Sequence, residues 1–123
     1  MIVIDTCGWI EWLTNGKLAD EFAKYFILAE DILTPTSIQF ELYKWVKQNS
    51  GHESALEAIA MTEQTQLVSL DTSISLLAAD LAIEHKLSFA DAIIYASANF
   101  FEAQLVTADN HFQGLENVIY FKK

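Results

Sequence analysis

Apolar residues along this chain gather in two kinds of segment. Five short runs, Met1–Ile4, Ile32–Thr34, Leu67–Leu70, Gln104–Thr107 and Asn117–Phe121, have the length and side chains of buried strands. Longer segments between them carry helical spacing. Ile74, Leu77, Ala78, Leu81 and Ala82 follow the i, i+3, i+4, i+7, i+8 rule and predict one apolar helix face. Leu18–Leu28 and Ala55–Met61 predict further helices, and so does the stretch TSIQFELYKWVKQ. Phe89–Phe101 is apolar nearly all round, with only Asp91, Ser97 and Asn99 polar, which predicts a buried helix. Strands alternating with helices predict an α/β fold with a parallel sheet covered on both faces.

Ligands of such sheets bind beyond the carboxyl ends of the strands, where the strand order reverses. Asp5 ends the first run, and Asp109 lies two residues past the fourth. If those strands are neighbours, the two carboxylates share one crevice. Two more acids sit at costly addresses. Glu41 falls within the stripe of Ile38, Leu42 and Trp45, and Asp91 shares a face with Ile94, Tyr95 and Ala98. Each has a plain structural role open to it. Asp5 can cap a helix, and Asp91 stands three residues after Ser88 at capping-box spacing. Glu41 can reach outward to water, and Asp109 can serve a turn.

Two like charges ~5 Å apart at an effective dielectric of ~20 repel by about 3 kcal/mol. Four carboxylates in one pocket therefore call for protons or for a divalent cation. Oxygen ligands favour Mg²⁺ or Mn²⁺, and His52, His85 and His111 have no zinc-ligand spacing. Hard metals held by acids do phosphoryl chemistry.

Composition narrows the setting. The chain has 123 residues, 52% of them hydrophobic, which is enough for one domain spanning 1–123 with its own core. A single cysteine, Cys7, rules out an internal disulfide framework. No apolar run approaches the roughly 20 residues of a membrane span. Asp5 breaks the apolar start, so no signal peptide is expected, and a cytoplasmic location is. Seventeen acids face seven lysines and no arginine, a net charge of −10. Such a surface repels nucleic acid unless a cation or a basic partner helps. Three Trp, eight Phe and four Tyr predict self-association as a dimer.

Four motifs, VIDTCGWIEW, TSIQFELYKW, LSFADAIIYASA and LVTADNHF, together resemble those of PIN-domain ribonucleases, most of all the VapC-type toxins of toxin–antitoxin pairs. The resemblance runs over essentially the whole chain. It implies a three-layer α/β/α fold with a central, mainly parallel sheet of four to five strands flanked by helices. It also implies a Mg²⁺-dependent (Mn²⁺ possible) endoribonuclease with Asp5, Glu41, Asp91 and Asp109 as its catalytic acids. Asp5, Asp91 and Asp109 would hold the metal, and Glu41 would orient or deprotonate the attacking water, leaving a 5′-phosphate and a 3′-hydroxyl. Thr6 and Thr107 match flanking hydroxyl positions, and Asn110 follows the last acid. The implied partners are an RNA substrate, a cognate antitoxin with a basic C-terminal segment, and a second copy of the chain. Cys7 stands where the family often has serine, and Ala108 where many relatives carry arginine.

Two other readings compete. A PIN-like scaffold could bind a partner without catalysis. A receiver domain would use Asp71, Thr107 and Lys122 as phospho-acceptor site residues, but it leaves Glu41 and Asp91 without a role. A dinucleotide fold lacks its G-x-G-x-x-G loop.

Overall fold

The computed structural model describes residues 1–123. Five strands form one sheet: β1 (Ile2–Ile4), β2 (Ile32–Pro35), β3 (Gln66–Val68), β4 (Gln104–Thr107) and β5 (Val118–Tyr120). Their order is β3-β2-β1-β4-β5, and every neighbouring pair is parallel. The chain builds outward from β1 to β3, then crosses back to lay β4 against the free side of β1. The β1/β4 boundary is therefore the point where strand order reverses, and a crevice opens beyond it.

Six helices flank the sheet: α1 (Thr6–Leu13), α2 (Ala19–Ala23), α3 (Thr36–Ser50), α4 (His52–Thr62), α5 (Thr72–His85) and α6 (Phe89–Phe100). They pack largely as consecutive pairs, α1 with α2, α3 with α4 and α5 with α6. The expected α/β architecture, with a parallel central sheet and flanking helices, is the one found. None of the helices is long and apolar enough to cross a membrane.

Burial follows position in the sheet. Val3 and Ile4 of β1, all of β2, and Leu105, Val106 and Thr107 of β4 are buried. The outer strands are not, contrary to the reading of five buried runs. In β3 only Val68 is buried, and in β5 every residue is half-buried. β3 also begins one residue earlier than its apolar run and ends at Val68, because its limits come from pairing. Gln66, Leu67 and Val68 lie opposite Leu33, Thr34 and Pro35 of β2.

The helices agree with the pattern in their middles and depart at their ends. Ala92 to Ala98 of α6 are all buried, as the apolar run predicts, yet Phe89 at its start is 79% exposed. The stripe from Ile74 to Ala82 faces inward against α6. The helix expected over Leu18–Leu28 stops at Ala23. Beyond it Tyr25 and Phe26 turn into an aromatic cluster, with Phe26 stacked on Trp12 at 4.0 Å and edge-on to Trp9. Ring packing there outweighs the local helical spacing.

Candidate active site

Three segments place acids at the carboxyl edge of the sheet. β1 runs directly into α1, so Asp5 is at once the residue after the strand and the N-cap of the helix. β4 ends at Thr107, and the turn after it carries Asp109. α6 starts at the same edge, with Asp91 in its first turn. The N-termini of α1 and α6, with their unpaired N–H groups and positive dipole ends, favour negative charge here.

Asp5 is the most enclosed of these acids, at 5% exposure. Its Oδ1 accepts the Thr6 N–H at 2.8 Å, and its Oδ2 accepts the Thr107 hydroxyl at 2.8 Å. The Cys7 thiol points at the same Oδ2 from 3.5 Å. Thr107 Oγ1 in turn accepts the Asp109 N–H at 2.9 Å. A continuous run of hydrogen bonds thus ties the end of β1 to the turn after β4. Burial pushes the Asp5 carboxyl up from 3.8 to about 6; its hydrogen bonds oppose this, and the nearby Asp109 and Asp91 charges add to it. Burial likewise pushes the Cys7 thiol up to about 12, so it stays a neutral donor and accepts the Ala108 N–H at 3.4 Å.

Asp91 and Asp109 meet through a residue that the spacing argument set aside. His111 Nδ1 lies 3.0 Å from Asp91 Oδ2 and 3.2 Å from Asp109 Oδ1. These three side chains can bring one ligand atom each within 4.8 Å of the others. The hydrogen bond to Asp91 first, and then the charges of Asp109 and Asp91, raise the imidazole above its usual value. No fixed sequence spacing links Asp91 to His111, so linear ligand patterns miss the pair. The signal that was available is the position of His111, two residues past Asp109 on a tight turn.

Glu41 sits apart from that trio. Its Oε1 accepts the Thr6 hydroxyl at 2.7 Å, so it joins the site through the residue next to Asp5. The buried stripe of α3 is Ile38, Leu42 and Val46, with Trp45 half-buried. Glu41 stands at the border of that stripe, facing a groove shared with Thr6, Ile10, Lys44 and Trp45.

The plain structural roles are also present. Asp5 caps α1, the Ser88 hydroxyl accepts the Asp91 N–H at 3.2 Å, and Asp109 Oδ1 accepts the His111 N–H at 2.9 Å. Capping therefore fixes the backbone of Asp5 and of the two acids, Asp91 and Asp109, whose carboxylates meet. Asp71, Thr107 and Lys122 do not form a receiver-type group. Asp71 caps α5 beyond β3, through Ile74 N–H at 2.9 Å, and β3 lies two strands from β1.

A parallel sheet reversing at β1/β4, with acids at its carboxyl edge, defines a class of small α/β domain. Residues 2–117 match the PIN domain family, and the chain belongs to it. Several solved structures share the fold. A toxin–antitoxin complex from Klebsiella pneumoniae superposes with a TM-score of 0.83 at 18% identity, over 97% of this chain and 96% of that one. The VapBC2 pair of Rickettsia felis, bound to a fragment of its promoter DNA, gives 0.76 at 18%, over 98% of each chain. VapC20 of Mycobacterium tuberculosis, a toxin that cleaves the sarcin–ricin loop, gives 0.74 at 16%, over 99% of this chain and 90% of that one. No curated protein sequence matches the chain.

Proposed function

We propose that this protein is a metal-dependent endoribonuclease and the toxin half of a toxin–antitoxin pair. The observation that carries the reading is the meeting of Asp91 and Asp109 at the β1/β4 crevice of a PIN-family chain, with Asp5 tied to the same turn through Thr107 and near enough to feel both charges. Solved neighbours that are themselves toxin–antitoxin complexes support it.

The donor set suits a hard divalent cation, Mg²⁺ or Mn²⁺. Asp5 is a buried carboxylate near two others, with no lysine among its partners, and such a group is costly unless a cation compensates it. Asp5, Asp91 and Asp109 would hold that cation. The chemistry it supplies when bound is a lowered pKa for water and neutralised charge on the phosphate under attack. The side chains do the rest. The Thr107 hydroxyl and the Thr6 N–H aim Asp5 into the crevice. The Thr6 hydroxyl occupies Glu41 Oε1 and leaves Oε2 to orient an attacking water and take its proton. Hydrolysis at phosphorus leaves a 5′-phosphate and a 3′-hydroxyl.

The charge explains the need for a partner. At −10 and without arginine, the domain draws a basic segment to its acidic cleft before contact forms. A cognate antitoxin whose basic C-terminal segment reaches these carboxylates fits that field. Exposed Phe40 and Phe89 beside the site fit a dimer, which sedimentation would show as a species of twice 13.9 kDa; a single-chain species at micromolar concentration refutes it.

The test is RNA cleavage by the purified protein with Mg²⁺ or Mn²⁺. Cleavage should stop with EDTA and fall at least about 100-fold in Asp91→Asn and Glu41→Gln. Expression should arrest host growth, and the partner should relieve that arrest only with its basic C-terminal residues intact. Wild type no more active than Asp91→Asn, and harmless when expressed, would leave a binding scaffold instead.

A further inference from the structure

His111 is a basic side chain that reaches two of the site's acids, Asp91 and Asp109. Its backbone is held firmly. Its N–H bonds Asp109 Oδ1, the Phe112 N–H bonds the Asp109 carbonyl at 3.1 Å, and the Phe112 ring is fully buried. Its ring is 67% exposed, so packing does not dictate where the imidazole goes. The ring nevertheless turns back over the acids.

The position is informative because Nδ1 carries at most one proton. It can donate to Asp91 or to Asp109, not fully to both, yet it lies 3.0 and 3.2 Å from the two oxygens. A hydrogen bond satisfies one of these approaches. A cation held jointly by all three atoms satisfies both. Neighbouring donors on one six-coordinate ion with ~2.1 Å bonds would lie about 3 Å apart, close to the distance from Nδ1 to each carboxylate oxygen, and all three atoms lie within 4.8 Å of one another. The other two histidines are engaged elsewhere. His52 Nδ1 lies 3.3 Å from the Tyr43 hydroxyl, and the His85 ring stands edge-on to Tyr95.

We propose that His111 is a ligand alongside Asp91 and Asp109, and that its nitrogen tilts the site from Mg²⁺ towards first-row transition ions. The proposal rests on the reading that these acids hold a divalent cation. Mg²⁺ prefers oxygen donors and keeps its waters, whereas imidazole nitrogen favours transition ions. On ligation the Nδ1 proton passes to solvent and Nε2 retains the remaining one. The all-oxygen set expected from sequence thus becomes an oxygen set with one nitrogen, and His111 is the residue that sets the preference.

Mn²⁺ is the probe, loaded into the full-length chain. Pulsed EPR of wild type should show ¹⁴N coupling from a directly bound imidazole, and His111→Ala should lose it. Calorimetry should show Mn²⁺ affinity falling about tenfold or more in His111→Ala, with Mg²⁺ affinity moving by less than about threefold. No nitrogen coupling in wild type, with Mn²⁺ bound and lost in Asp91→Asn, overturns the His111 assignment and leaves the acidic site standing. Equal loss of Mn²⁺ and Mg²⁺ in His111→Ala also overturns it. Wild type that binds neither ion overturns both this proposal and the reading beneath it.

Discussion

Asp5 pays for its position with proton affinity. Raising its carboxyl from 3.8 to about 6 costs the folded, ionised form about 3 kcal/mol in metal-free protein. Below about pH 4 the group is protonated whether folded or unfolded, and the cost is absent. It grows as pH rises from about 4 to about 6 and is complete above that. Asp5→Asn removes the titration but keeps the shape. In EDTA, urea unfolding should therefore show wild type losing about 2 kcal/mol relative to Asp5→Asn between pH 4 and pH 7. A stability difference that stays flat across that range would mean the carboxyl is not desolvated as described. His111 titrates in the same sense, through a favourable pairing rather than a burial cost. Its raised value means that its pairing with Asp91 and Asp109 stabilises the fold while it is protonated, and fades as pH rises through that value. The nearness of Asp5, Asp91 and Asp109 was legible in sequence because two of them follow strand ends and the third opens an apolar helix. His111 was not, because its partnership with Asp91 crosses twenty residues and exists only once α6 and the turn after β4 share an edge.

At the scale of elements, the join of β1 to α1 is tightly packed. A Cβ at Gly8 would lie 2.6 Å from Phe22 Cε1 and 2.7 Å from Ile4 Cγ2. Both neighbours are fully buried, one in α2 and one in β1, so neither can yield cheaply. Gly8→Ala should cost about 1–3 kcal/mol in urea unfolding, and an unchanged midpoint would mean that α1 is free to shift. The central elements were readable because burial imposes one pattern on them: β1, β2 and β4 as apolar runs, α6 as a helix apolar on every side. The margins were not. Leu67 and Leu70 look like core residues but lie exposed on or beside an edge strand, whose limits are set by its ladder with β2. Glu41 was read as inward-facing because Trp45 was counted in the stripe, whereas Val46 completes it and turns the carboxylate towards Thr6.

The molecule as a whole combines an acidic crevice with a net charge of −10. A −10 chain gains nothing from general attraction to RNA, so under the proposed function an RNA substrate would have to be held by local contacts and by a bound divalent cation. The same charge favours a basic protein partner over loose RNA. Everything then depends on whether the crevice of Asp5, Asp91, Asp109 and Glu41 activates water to hydrolyse phosphodiesters. The chemistry of the cut ends answers that most directly. RNA cleaved by the wild-type protein should carry 5′-phosphate and 3′-hydroxyl termini, formed only with a divalent cation present. Termini bearing a 2′,3′-cyclic phosphate, formed equally well in EDTA, would contradict the account.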